Sequence, residues 1–235
     1  MKICLLALTG FGNTILEELM SIPVIDHIVV FTREEKGEFP YYDCEHLLDL
    51  CNRMCVETYI NNEMVPQLIY EELRRFKPDM ILVATFDQKI PQRIIDIPKM
   101  GMINIHPSLL PKYRGPMPTH WSIINGESES GVTYHAMSSE FDMGDILLQE
   151  RTSIGGVVDG ELRRKLAKLS SKMLQSFLRK YRNSELNSKV QSKNEGTYYP
   201  KVTSKRGIAL LKSGQFNRAN VIRGLTPYPG IGILR

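Results

Sequence analysis

Met1-Lys2-Ile3-Cys4-Leu5-Leu6-Ala7-Leu8-Thr9-Gly10-Phe11-Gly12 opens the chain, and how this stretch is read decides the fold. A charge followed by an apolar run has the outline of a secretory signal. Here the charged flank is one Lys, the run is short, and it ends in Thr9-Gly10-Phe11-Gly12. A buried strand, Lys2 to Leu8, running into a turn fits better. The same alternation continues downstream. Asn13 to Ser21 reads as a helix with Ile15, Leu16 and Leu19 on one face, and His27 to Thr32 as a strand. Cys44 to Cys55 and Met64 to Phe76 read as helices, the second ended by Pro78. Met80 to Thr85 and Ile103 to His106 read as strands. Strands alternating with helices predict an α/β fold, Rossmann-like: a mostly parallel sheet with helices on both faces. Ligands of such sheets bind beyond the C-terminal ends of the strands.

The second half differs. Thr119 to Asn125 suggests a short helix, Gly131 to Ser138 and Asp145 to Thr152 suggest strands, and Glu161 to Tyr181 is a long amphipathic helix. Asn183 to Thr203 is polar and turn-rich, reading as a loop or linker. The expected division is a catalytic domain over 1–182 and a linker with a short C-terminal subdomain over 183–235.

Composition narrows the function classes. The chain has 235 residues, 42% hydrophobic and 24% charged, which excludes wholesale disorder. No apolar run reaches the roughly 18 residues that span a bilayer, so a cytoplasmic protein is expected. The net charge of +4 suits an anionic small substrate better than a polynucleotide. Basic residues gather from Arg163 and Arg164 through Lys165, Lys168 and Lys172 to Arg179. A solvated helix face is the plain reading of them, and a phosphate or RNA surface the other. The cysteines are Cys4, Cys44, Cys51 and Cys55. Spacings of seven and four put the last three on one helix face, as small buried apolar residues. Without C-x-x-C or a partner His, no metal site is expected.

Three segments carry chemistry. Thr9, Gly10 and Phe11 follow the first strand. The dinucleotide fingerprint fails here, because Ile15 stands where a third Gly belongs and Thr32-Arg33 where an acid belongs. Either the loop cradles a phosphate with backbone N–H groups, or it is a plain tight turn. Asn104 and His106 are two apart on a strand, point the same way at its C-terminal end, and precede a proline-stiffened loop. Asp142 lies in Phe141-Asp142-Met143-Gly144-Asp145-Ile146, which by itself is turn chemistry. Together Asn, His and Asp make an acyl-transfer set. The His moves protons near neutral pH, the carboxylate orients it and favours its charged form, and the amide donates to an oxyanion. There is no Gly-x-Ser-x-Gly, so transfer goes directly to an external nucleophile.

At these residues the chain resembles the folate-dependent formyltransferase family, which includes methionyl-tRNA and sugar N-formyltransferases. Asn104-Ile105-His106-Pro107-Ser108-Leu109-Leu110-Pro111 fits the family's Asn-x-His loop. Gly131-Val132-Thr133-Tyr134-His135, with the segment around Asp142, fits its second motif. The resemblance implies 10-formyltetrahydrofolate as formyl donor and Asn104, His106 and Asp142 as catalytic residues; His135 reads as a structural residue packed beside the site. It implies a pterin pocket from Phe86, Gln88, Lys89, Ile90 and Pro91, with Ser139 and Glu140 of the loop leading to Asp142. Tyr113-Arg114-Gly115-Pro116-Met117-Pro118 looks like the segment shared by the tRNA and sugar enzymes. The stretches 196–201 and 223–230 resemble the sugar enzymes, implying a nucleotide-linked amino sugar as acceptor and a homodimer. Lys112 and Arg114 are candidates for its diphosphate. With Ser108, Met117 and the Thr9–Phe11 loop they make the expected acceptor contacts. About fifty residues follow the long helix, too few for the tRNA-gripping barrel of the tRNA enzymes, so nucleic acid is not the expected partner.

Overall fold

The computed structural model describes residues 1–36, 41–60, 66–86, 88–192 and 194–230. Its strands are β1 (Lys2–Ala7), β2 (His27–Thr32), β3 (Glu57–Ile60), β4 (Met80–Ala84), β5 (Met102–His106), β6 (Glu129–Ala136) and β7 (Ile146–Ser153). They form one sheet in the order β3-β2-β1-β4-β5-β6-β7. The pairs from β3 to β5 are parallel, and β6 and β7 continue the sheet antiparallel. Parallel neighbours need crossovers. These contain α1 (Phe11–Met20), α2 (Leu47–Arg53), α3 (Pro66–Phe76) and α4 (Gln92–Ile95). Then come α5 (Pro118–Ile124), the long α6 (Asp159–Arg182), α7 (Ser204–Ser213) and α8 (Arg218–Gly224).

Strand alternation explains the apolar run of β1. Ile3, Leu5 and Ala7 face the cluster built with α1 and α6, where Leu16, Leu166 and Phe177 lie. Cys4 and Leu6 face the opposite cluster, with Leu73 of α3 and Ile94 of α4. Both faces are covered, so no polar residue interrupts the strand. The order reverses beside β1, with β2 on one side and β4 on the other. In open sheets of this kind, ligands bind outside the strand ends near such a reversal.

Several expectations change. The helix expected over Cys44 to Cys55 shrinks to Leu47–Arg53, because Cys55 takes a left-handed φ of 54° and Cys44 precedes the first turn. Cys51 is buried, whereas Cys44 and Cys55 are exposed, so they do not share one buried face. Met64 and Val65, the expected start of the next helix, lie outside the described residues. β3 has the half-exposed pattern of an edge strand and no apolar run to announce it.

The residues after α6 fold back onto α5. Val202, Val221 and Leu225 pack with Tyr113, Met117, Trp121 and Ile124 in a third cluster. Trp121 stacks on Tyr199 at 4.7 Å between ring centres, and Tyr199 on Tyr113 at 5.3 Å. Among the described residues no helix is long and apolar enough to cross a membrane.

Candidate active site

Asn104 and His106 sit on the side of β5 that faces the loop after β6. Their β6 partners in register are His135 and Thr133. The loop between β6 and β7 brings Asp142 over them. Asp142 has φ 53°, a left-handed position that an Asp tolerates better than most residues. Its Oδ1 accepts from Asn104 Nδ2 at 3.2 Å and lies 3.5 Å from His106 Nδ1 and 3.6 Å from His135 Nε2. Its Oδ2 accepts the Gly115 N–H at 2.8 Å. Gly115 is glycine for a reason: its φ is 102°, and a Cβ there would press on the Tyr199 carbonyl and the Tyr198 ring.

The imidazoles are fixed from behind. His106 Nε2 donates to the Tyr113 carbonyl at 2.9 Å, which leaves Nδ1 toward Asp142. His135 Nδ1 donates to the Ala136 carbonyl, so Nε2 can accept from Asn104 Nδ2 at 3.1 Å. Burial pushes the His106 pKa down, against the pull of Asp142. The downward shift favours the neutral imidazole, where the carboxylate alone would favour the charged one. Burial alone would raise the Asp142 pKa, but His106, His135 and the Gly115 N–H outweigh it and hold the carboxyl below the usual range.

Thr133 ties down the loop after β5. Its hydroxyl donates to the Ser108 carbonyl at 2.6 Å and accepts from Leu110 N–H and Gln149 Nε2. Ser108, expected at the acceptor, is buried and donates its hydroxyl to the Lys112 carbonyl. Arg114, expected on a diphosphate, is also buried. Its guanidinium donates to Gln191 Oε1 at 3.0 Å and to the Ser192 carbonyl at 3.1 Å. Gln191 in turn donates to the carbonyls of Asp142 and Gly144. Arg114 thus braces the Asp142 loop through Gln191, which lies in the segment after α6. Lys112 is exposed and pairs with Glu127. Met117 belongs to the third cluster, and its sulfur accepts the Val202 N–H.

The Thr9–Phe11 loop is the plain tight turn. The Glu35 carboxylate accepts from the Thr9 N–H and hydroxyl, Asn13 Oδ1 accepts the Gly10 N–H, and the Tyr42 ring covers Gly10. Phe11 is core. The Thr9 and Gly10 donors that a phosphate would need are already engaged.

One cavity of about 390 Å³ joins these parts. Asn104, His106 and Asp142 line it, with Gly115, Pro116 and Pro118 of the next loop. Thr119, Arg163 and Tyr198 form one wall. Phe86, Gln88 and Phe141 lead on the other side into a narrow slot, which Lys89, Ile90, Ser139 and Glu140 also line. Pro91 sits outside this slot, at the N-terminal end of α4. Among the described residues no cluster of His, Cys, Asp and Glu could hold a metal ion.

Residues 23–178 match the family described as formyl transferase. The chain belongs to the formyl transferase family. It is 40% identical over 161 residues to a methionyl-tRNA formyltransferase of Caldanaerobacter subterraneus subsp. tengcongensis, a match covering 68% of this chain and 52% of that one. The chain spans about half the length of the curated relatives it matches. In fold it is similar to an N-formyltransferase from Helicobacter canadensis, in complex with folinic acid and dTDP-3-aminofucose. That likeness has a TM-score of 0.70 at 20% identity, over 95% of this chain and 80% of the other. A sugar 3N-formyl transferase crystallised with dTDP and 5-N-formyl-THF gives 0.69 at 21%, over 95% and 78%. At such identities these likenesses speak for the formyltransferase fold. Gly115 and Gln191 were not read from the sequence as parts of this site, and His135 was read only as packed beside it. His135 and Gly115 stand inside quoted motifs, but Gln191 carries no local signal in a polar loop.

Proposed function

We propose that the chain moves a formyl group from 10-formyltetrahydrofolate to the amine of a nucleotide-linked amino sugar. The first candidate is a dTDP-4-amino-4,6-dideoxyhexose destined for surface polysaccharide. The observation that carries this reading is the convergence of Asn104, His106 and Asp142 at a cavity with two unlike sides. The slot suits a flat pterin: Val83, Ile90 and Met137 are apolar, Phe86 and Phe141 aromatic, and the 138–142 loop offers backbone polar groups. Lys89, over the Phe141 ring at 5.9 Å, is a cation for glutamate carboxylates. The wider side, with Thr119 and Tyr198, suits the acceptor.

Bound there, the folate supplies an electrophilic formyl carbon. The His106–Asp142 pair has a gap of 3.5 Å with no proton of its own, since His106 Nε2–H is spent on Tyr113. That gap receives the proton the amine loses, Asp142 stabilises the imidazolium formed, and the proton passes on to N10 of the folate as its bond to the formyl carbon breaks. Asn104 gives its amide hydrogens to Asp142 and His135, so one must turn toward the cavity before it can donate to the developing oxyanion. Thr133 and Arg114 hold the two loops that carry these groups.

The sugar acceptor is supported by the fold likeness, which extends over 95% of this chain and so takes in the segment after α6 that lines the cavity through Tyr198. A second reading, formyl transfer to methionyl-tRNA, is favoured by the 40% identity of a curated relative. One experiment separates them. The protein is incubated with 10-formyltetrahydrofolate and either nucleotide-linked 3- and 4-amino sugars or charged initiator tRNA, and products are weighed. A formylated sugar nucleotide is expected. Formylmethionyl-tRNA would select the second reading, and free formate alone would make the protein a hydrolase.

A further inference from the structure

Arg163 is the one Lys or Arg among the described residues that line the large cavity. It departs from its neighbours on α6: Lys165, Lys168 and Lys172 are exposed, as a solvated face requires, while Arg163 is turned inward. Its Nε donates to Asp159 Oδ2 at 2.6 Å, and its Nη2 donates to His120 Nδ1 at 3.1 Å. The guanidinium lies over the Tyr41 ring, 4.6 Å from its centre. His120 and Asp159 are both fully buried. His120 Nε2 donates to the Tyr228 carbonyl at 3.1 Å, so Nδ1 is free to accept from Arg163. Asp159 Oδ1, 3.2 Å from that same Nδ1, has no donor among the described residues.

This is a costly arrangement for stability alone. Burying an ion pair is at best near break-even, and an unsatisfied carboxylate oxygen adds to the cost. What it achieves is a guanidinium locked in one pose at a cavity wall, its counter-charge kept behind it. A guanidinium has five N–H donors in a planar fork matched to phosphate oxygens. Asp159 and His120 take the Nε and one Nη2 hydrogen. Donors remain for a further acceptor.

We infer that Arg163, held by Asp159 and His120, receives a phosphate of the acceptor, the role that sequence alone had given to Lys112 and Arg114. The inference rests on the amino-sugar nucleotide reading above. It places the phosphate on the wall shared with Thr119 and Tyr198, beside the triad that takes the amine. Asp159 and His120 are positioning residues.

The test is calorimetric titration of the full chain with thymidine diphosphate, and separately with 5-formyltetrahydrofolate. Arg163→Gln is expected to weaken the diphosphate tenfold or more and leave the folate affinity unchanged. Arg163→Lys, which keeps the charge but not the fork, falls between. If Arg163→Gln does not fold, the double variant Asp159→Asn/Arg163→Gln removes both charges and must show the same loss. The inference is overturned if wild type does not bind the diphosphate, if either variant binds it as wild type does, or if folate affinity falls equally. If the diphosphate binds through Arg163 but no amino sugar is formylated, the transfer reading fails and Arg163 remains a phosphate-binding residue for another ligand.

Discussion

Asp142 gathers the site around one carboxylate: an amide and two imidazoles on one oxygen, a backbone N–H on the other. His106→Ala removes the group that takes the proton, and near-complete loss of turnover is expected. Asn104→Ala should cost on the order of 10²–10³ in kcat. Rates measured on variants with unchanged melting would decide, and a His106→Ala enzyme of nearly full activity would remove the assignment. Acid should also act on stability. The pKa values of His106 and Asp142 both lie below their ordinary values, so the unfolded chain binds more protons than the folded one on the acid side. Stability is then intact at pH 7. It falls first below about pH 6.5, where an unfolded His titrates, and again below about pH 4 for the Asp. Melting curves from pH 7.5 to 5 should show the first fall, and His106→Asn should flatten it; equal slopes would contradict it. Asn104 and His106 were legible because strand periodicity fixes their common direction. Their charge state was not, because it depends on burial.

At the scale of elements, the turn between β6 and β7 must fold tightly enough to bring Asp142 back over β5. Gly144 makes that possible: a Cβ there would overlap the Ala136 carbonyl. Its own carbonyl accepts from Gln191. Gly144→Ala should therefore cost about 3 kcal/mol, at the upper end of typical overpacking, in chemical denaturation. It should lower activity as well. A variant within 0.5 kcal/mol of wild type would show that the turn has slack. Sequence periodicity found β1, β2, β4 and β5 because each is buried on both faces. It missed α7 and α8, although their starts are marked: Thr203 Oγ1 accepts the Arg206 N–H, and Asn217 Oδ1 accepts from Ala219 and Asn220. Those helices are short and half-exposed, so a cap signal stood without an apolar stripe.

Across the whole molecule, residues far apart in the chain share the site. Arg114 and Gln191 connect the segment after α6 to the Asp142 loop, and Tyr198 reaches the cavity. Read from sequence, the region after residue 182 was a linker and a small appendage, since nothing local says that a polar loop braces a catalytic turn. Gln191→Ala should raise the acceptor KM and lower kcat together while melting changes little; a change in melting alone would make Gln191 merely structural. The stacked rings have another consequence. The chain contains one Trp. Its indole is 4% exposed, lies against Tyr199, and donates to the Pro200 carbonyl at 2.9 Å. Native fluorescence therefore comes from a single emitter placed at the seam between the two parts of the chain. Excited at the red edge, it is an optical gauge of whether the C-terminal segment is seated. Tyr199→Ala should shift the emission to longer wavelength while the far-ultraviolet dichroism stays in place.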